Sequence, residues 1–569
     1  MPQQQPETVH GGKMALGSHQ AAFLQELKEI DRAQAAERIW AQDPRLWKDE
    51  ASHVQEIGER LGWLSVIDDM RKHVAEMEGF ANEVREASIS HVVLCGMGGS
   101  SLCPEVIRLT FGSATGYPKL CVLDSTDPST IAAVAEEAEP ERSLYLIASK
   151  SGGTIEVDSL YRYFYDRSQA ALGERSGLQF AAITDPGTGL HRLAQERGFR
   201  KVFLNPPDIG GRYSALSLFG LVPAALLGLD VTRLLDRAQA MAQACAAGVP
   251  ADANPGVWLG TAMGTMARAG RDKLTLMTSP SIDSFGLWIE QLIAESTGKE
   301  GKGIVPVVGE PLGAPGTYGE DRYFVYVRLE GDDNDTLDQM AGQLEAAGQP
   351  VVTLYLQDCY DLGAEFFRWE FATAIAGAML KIDPFDQPNV QESKDNTSRV
   401  LAQFQATGAL PTEPPDLLKD GLELYGSKEE SLEKALKGFV GGAGAGDYFA
   451  IVAYLPAAEP VEAAMATLRE MLRNRTGLAT TLGYGPRFLH STGQLHKGGP
   501  NSGLFLQFTA QEKVSVPIPG KPYDFGTLKR AQATGDWQAL KQHGRRALWV
   551  HLGTDIAADL QKVVDALRG

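Results

Sequence analysis

The chain has 569 residues, 43% of them hydrophobic and 22% charged, with a formal net charge of −19. That length exceeds what one hydrophobic core supports, and the composition is that of an ordinary soluble globular protein of a few domains. The acidic balance argues against a nucleic-acid surface, no run reaches the ~18 apolar residues of a membrane span, and an anionic substrate must be drawn in by a local positive site.

The first twenty residues, "MPQQQPETVHGGKMALGSHQ", lack the apolar core of a leader peptide and read as a mobile tail on a cytoplasmic protein. Residues 15–75 read as helices ahead of a first sheet. Then "SHVVLCG" leads to a helix near 101–111, "KLCVLDS" to one near 128–138, "SLYLIAS" to one from 153, and "LQFAAIT" to one from 186. Such βα alternation predicts a parallel sheet covered on both faces. A second series starts near 255, with "KLTLMTS", "RYFVYVRL" and "PVVTLYL" separated by amphipathic stretches. The expected division is 1–58 for the tail and helices, 59–235 and 236–400 for two α/β domains, 401–446 for a connecting segment, and 447–569 for a smaller αβ module. Cys95, Cys103, Cys121, Cys245 and Cys359 show no metal spacing and read as reduced thiols.

Chemistry concentrates in five loops. "GMGGSSL" (96–102) offers close backbone approach at Gly98 and Gly99 and hydroxyls at Ser100 and Ser101. It lacks both the lysine of a P-loop and the spacing of a dinucleotide fingerprint, and "GGAGAG" precedes a strand instead of following one, so no nucleotide cofactor is expected. "SKSGGTIEV" (149–157) is a hydroxyl-rich turn between a strand and a helix, a geometry suited to a phosphate. Both loops follow strands of one parallel sheet, where ligands gather. "GGRYSALSLFG" (210–220) sets Arg212, a charged fork for an oxyanion, behind Gly210 and Gly211. In "WIEQLIAESTGKEGKG" (288–303), Glu295 ends an apolar helix and suits a general base. In "DPFDQPNVQESK" (383–394), Gln387 and Lys394 are seven residues apart, about two helical turns, so both can face one cleft.

In this order the segments resemble phosphoglucose isomerases, and "AERIWAQDPRLWKDE", "AESTGK", "PFDQPNV" and "HSTGQLHKGGP" look most like the isomerase half of bacterial fused transaldolase–phosphoglucose isomerases. The resemblance implies an α/β fold of two sugar-isomerase-type domains with N-terminal helices and a C-terminal αβ module. It implies a metal-free, cofactor-free aldose–ketose isomerase acting on glucose 6-phosphate, and a homodimer whose subunits share active sites. Mannose- or aminosugar-phosphate isomerisation on the same fold, or a sugar-phosphate-binding regulator, are the rival readings. Carried over by position, Ser149, Lys150, Ser151 and Thr154 grip the phosphate, with Gly99 and Ser100 in the first glycine loop and Gly211 beside the ligand. Arg212 stabilises the enediolate, Glu295 is the base, and Gln387 and Lys394 lie near the sugar. The family's ring-opening histidine falls between the base and that lysine, but the sequence has no histidine from 192 to 489. His490 and His496 are the candidates, and a loose resemblance of "GQLH" to the family's histidine turn favours His496.

Overall fold

Five apolar runs, His91–Cys95, Lys119–Leu123, Ser143–Ala148, Phe180–Thr184 and Lys201–Leu204, form one parallel sheet in the computed structural model. The structure describes residues 8, 9, 11–411 and 413–568. The spatial order is Lys119–Leu123, His91–Cys95, Ser143–Ala148, Phe180–Thr184, Lys201–Leu204. The central strands Ser143–Ala148 and Phe180–Thr184 are buried at every position, because helices cover both faces; lysines open only the two edge strands. Placing the second strand outside the first creates a switch point at the carboxyl end of the first, beside loop 96–101.

A second sheet repeats the order: Val305–Val307, Lys273–Thr278, Arg322–Leu329 and Val351–Leu356 are parallel, and Gly12–Ala15 then Thr8–Val9 add an antiparallel edge. A third repeats it again, with Ala479–Tyr484, Tyr448–Tyr454, Gly503–Ala510 and Arg546–Leu552 parallel and the hairpin Leu422–Tyr425, Leu417–Lys419 antiparallel at the edge. One apolar core, from Met14 to Phe385, joins the first two sheets through the helices Val231–Ala244, Pro255–Arg268 and Leu362–Leu380. The third sheet has its own core around Phe449, Ile451, Met465 and Val550, while its helix Phe525–Gln542 sends Phe525 and Leu528 into the core on the outer face of the first sheet.

Two boundaries move. Residues 12–15, expected in a mobile tail, pair with Val351–Leu354 in the second sheet; residues 1–7 and 10 of that tail lie outside the described residues. The expected connecting segment 401–446 supplies two strands and the helix Leu432–Gly441 to the third domain, which is as large a sheet as the second. The physical reason is a two-residue hairpin turn at Asp420-Gly421, both at positive φ, as a type I′ turn requires. "GGAGAG" does precede a strand, Tyr448–Tyr454.

Candidate functional site

The site is built where loops from all three domains meet. After His91–Cys95 the chain turns through Gly98, at φ +55°, and Gly99. A Cβ on Gly99 would lie 1.9 Å from the Gly211 carbonyl oxygen, so the first glycine loop rests backbone to backbone on the loop carrying Arg212. A Cβ on Gly98 would lie 2.8 Å from the His490 carbonyl oxygen and 2.9 Å from Gln291 Nε2. Only glycine lets the second and third domains approach this closely.

The cleft above these glycines has a volume of about 410 Å³ and is lined by Gly99, Ser100, Lys150, Ser151, Thr154, Gly211, Glu295, Gln387, Lys394 and His490, with Arg60, Gln291 and Asp185. Thr154 is the N-cap position of the helix Ile155–Leu172, whose positive end faces the cleft with Ser151. Ser149 does not line the cleft: it is buried beneath, and its hydroxyl lies 3.1 Å from Thr154 Oγ1, holding that side chain. Lys150 is pinned to the Asp185 carboxylate and donates to the Pro207 carbonyl at 2.9 Å, so its charge anchors the neighbouring loop. Lys394 is exposed on the helix Pro388–Thr407, two turns beyond Gln387 at that helix's N-cap.

Glu295, 8% exposed, lies on the helix Phe285–Thr297 and accepts from Gln291 Nε2 at 3.0 Å. Arg212 sits under the cleft floor, 2% exposed. Its Nη1 lies 3.5 Å from Glu295 Oε1 and donates to Gln387 Oε1 at 2.9 Å. Its remaining nitrogens donate to Ser296 Oγ and the carbonyls of Pro384 and Asp386. Buried as it is, Arg212 acts through Glu295 and Gln387 instead of presenting an open fork to the ligand. Lys299 donates to the Asp386 carbonyl as well and pairs with the Asp386 carboxylate at 2.6 Å. Burial and the neighbouring Arg212 bring the Lys299 ammonium down to about 8. His53, Asp383 and Asp386 form the one metal-type group among the described residues, and the Lys299 ammonium already stands against it.

The structure separates the two candidate histidines. His490, not His496, lines the cleft. Its Nε2 lies 2.9 Å from Glu156 Oε1, which also accepts from Gln532 Nε2 at 2.7 Å. Burial raises the Glu156 carboxyl, but His490 and the residue's own backbone N–H outweigh it and hold the group below the usual carboxylate range. His496 is buried between the rings of Phe488 and Phe505, and its Nδ1 has no partner among the described residues. Burial, then Lys497 and Arg545, hold that imidazole well below its ordinary value, so it stays neutral. The sequence favoured His496 on its "GQLH" context; the short helix Gly493–Gly498 turns that side chain into the core. Glu156 went unmarked in the sequence because an acid in a helix's first turn usually serves the dipole. Gln532, 376 residues away, gave no local signal at all.

Repeated parallel sheets with the first sheet's switch-point loop on a polar cleft, which also holds a helix N-terminus, a carboxylate and a histidine, define a protein of the sugar-isomerase fold class. The phosphoglucose isomerase family model matches residues 60–321. Glucose-6-phosphate isomerases of Rubrobacter xylanophilus and Carboxydothermus hydrogenoformans are 29% and 28% identical, over 57% and 60% of this chain and 85% of each relative. A crystal structure of the Chlamydia trachomatis glucose-6-phosphate isomerase shares the fold, with a TM-score of 0.58 at 16% identity over 70% of this chain and 90% of that one. Over residues 60–321 the chain is similar to the phosphoglucose isomerase family, and over about 60% of its length to glucose-6-phosphate isomerases.

Proposed function

We propose that the cleft interconverts glucose 6-phosphate and fructose 6-phosphate by moving a proton between adjacent carbons of a cis-enediolate. The phosphate lies against Ser151, Thr154 and the helix amides, where charge and donors converge, with Ser100 and Arg60 alongside. His490, oriented by Glu156, exchanges the proton that opens the ring, with Lys394 on the other wall. Glu295 then takes the proton from C2 and returns it to C1; a single carboxylate on one face of the enediolate needs no hydride carrier. The Arg212 charge behind Glu295 and Gln387 favours the developing oxyanion, and the same contacts fix both side chains.

The observation that carries this reading is the meeting of Glu295 and His490 in one cleft that opens on a helix N-terminus. The test is a coupled assay of the purified chain with glucose 6-, mannose 6- and glucosamine 6-phosphates. Turnover of the first well above the other two is expected; preference for either of the others reassigns the substrate, and no turnover of any returns the site to a binding role. A cytoplasmic location fits five cysteines that are all free thiols. A homodimer is the assembly we expect, to be read by light scattering.

A further inference from the structure

The third domain lies beyond the matched family segment, yet it copies the second in detail. Both have the strand order second, first, third, fourth, and both close with an antiparallel strand beside the fourth, taken from residues 12–15 in the second domain and from the adjacent upstream residues 422–425 in the third. The two meet through the same element: Val305–Val307 and Ala479–Tyr484, each the outermost second strand of its sheet, adjoin across a small apolar core with Val305, Val307, Ala450, Ala479 and Phe505.

The polar contacts run in both directions, as in an isologous pair. From the third domain, Arg469, on the helix that precedes its second strand, donates to the carbonyls of Val308 and Gly309 in the loop after the second domain's second strand. From the second domain, Gln291, on the equivalent helix, donates at 2.8 Å to the carbonyl of His490 in the loop after the third domain's second strand. Each contact joins the same pair of elements, the helix before one second strand and the loop after the other, at different positions within them. The loops differ in cargo: 308–321 carries no histidine, while 485–502 carries His490.

The third domain is also locked to the first. Arg487 grips the buried Asp124 carboxylate with two hydrogen bonds, at 2.7 and 2.8 Å. Lys529 pairs with buried Asp127 at 2.6 Å. Breaking such pairs one partner at a time is strongly destabilising, so this joint is a permanent one.

We propose that the third domain is an internal duplicate of the second, joined to it as a second copy would be, and that its loop supplies His490 so that every chain holds one complete site of its own. This rests on the isomerase reading of the cleft. It replaces the shared-site dimer that the sequence resemblance implied with a site assembled in cis, and it predicts one site per chain, since loop 308–321 has no histidine to offer a second.

The experiment pairs two variants, Glu295→Gln and His490→Gln, purified separately, then co-expressed with different tags so that hybrids form. Each alone is expected to lose about 10²–10⁴-fold in kcat. The co-expressed mixture is expected to stay as inactive as its parts, and the unmodified chain to keep constant activity per chain on dilution to nanomolar concentration. Recovery of roughly a quarter of parent activity in the mixture, the share of intact sites in random two-fold hybrids, overturns the proposal, as does activity that falls with dilution. Parent-like turnover by His490→Gln also overturns it. Parent-like turnover by Glu295→Gln instead overturns the assignment of the base, and the dilution series, which needs no variant, then decides whether the site is complete in one chain.

Discussion

His490 Nε2 stands 2.9 Å from Glu156 Oε1, a contact between residues 334 positions apart that joins the third domain to the first turn of the helix after loop 149–154. The carboxylate fixes the ring's orientation, so it positions a proton-exchanging group without touching the sugar itself. Glu156→Gln keeps the shape and removes the charge. A loss of about 10²-fold in kcat, at the low end for a general acid–base group, with KM little changed, is the expected result. Steady-state kinetics on the cyclic substrate and on the open-chain sugar separate the cases: a structural role would lower both alike, whereas a positioning role spares the open-chain form.

Thr154 and Ser151 line the end of the cleft where we propose the phosphate binds, and Ser149 holds Thr154 from below at 3.1 Å. A phosphate is gripped equally in the ground and transition states, so contacts to it appear in KM. Thr154→Val should raise KM several-fold and leave kcat close to the parent, and Ser149→Ala should do the same more weakly because it acts through Thr154. Competition by inorganic phosphate should weaken in parallel. A fall in kcat with unchanged KM would move the phosphate elsewhere in the cleft.

The parts of this architecture that the sequence disclosed are those written in local periodicity. "SLYLIA" and "FAAIT" read as strands because both faces are buried, and Gln387 and Lys394, seven residues apart, line one cleft with Glu295, as helix geometry allows. What escaped was set by tertiary contact. The strand Leu422–Tyr425 hid in a polar stretch, although "DG" between two apolar runs is a hairpin signal. The depth of Arg212 could not be read either: its burial depends on Pro384, Asp386 and Gln387, 172 to 175 residues downstream. The choice between His490 and His496 turned on one short helix rotating the second ring toward Phe505, which no pattern of residue types records.

His496 carries an expectation of its own about acid stability. Its imidazole is held well below the ordinary histidine value in the folded chain, so the unfolded chain binds the extra proton more readily. Stability is therefore full above about pH 6.5 and falls as the pH drops below it. His496→Gln removes that titration. Thermal melts at pH 7.5 and 5.5 should show a smaller acid-side drop for the variant than for the parent, while kcat at pH 7.5 stays near the parent. An unchanged acid-side drop would mean that other groups, such as the paired carboxylates, dominate acid unfolding.

Glu290 shares a helix with Glu295 but faces a different space, a polar cavity of about 710 Å³ where the three domains meet. Burial pushes its carboxyl up to about 7, and the attraction of Arg469 and Arg487 only partly offsets that. The sign follows from linkage: a carboxyl raised in the folded state contributes stability that is present below its unfolded value, near 4.5, and is lost as the pH rises through 7. With one pKa unit worth about 1.4 kcal/mol, and allowing for the residue's partial exposure, the loss amounts to about 2–3 kcal/mol between pH 4.5 and 8. Glu290→Gln stays neutral throughout. Denaturant unfolding at pH 5 should find parent and variant nearly equal, whereas at pH 8 the variant should be the more stable by most of that difference. Isomerase turnover should not change, because Glu290 does not line the catalytic cleft. Equal stabilities at pH 8 would show that water or a cation in the cavity solvates the charge, and that Glu290 costs the fold nothing.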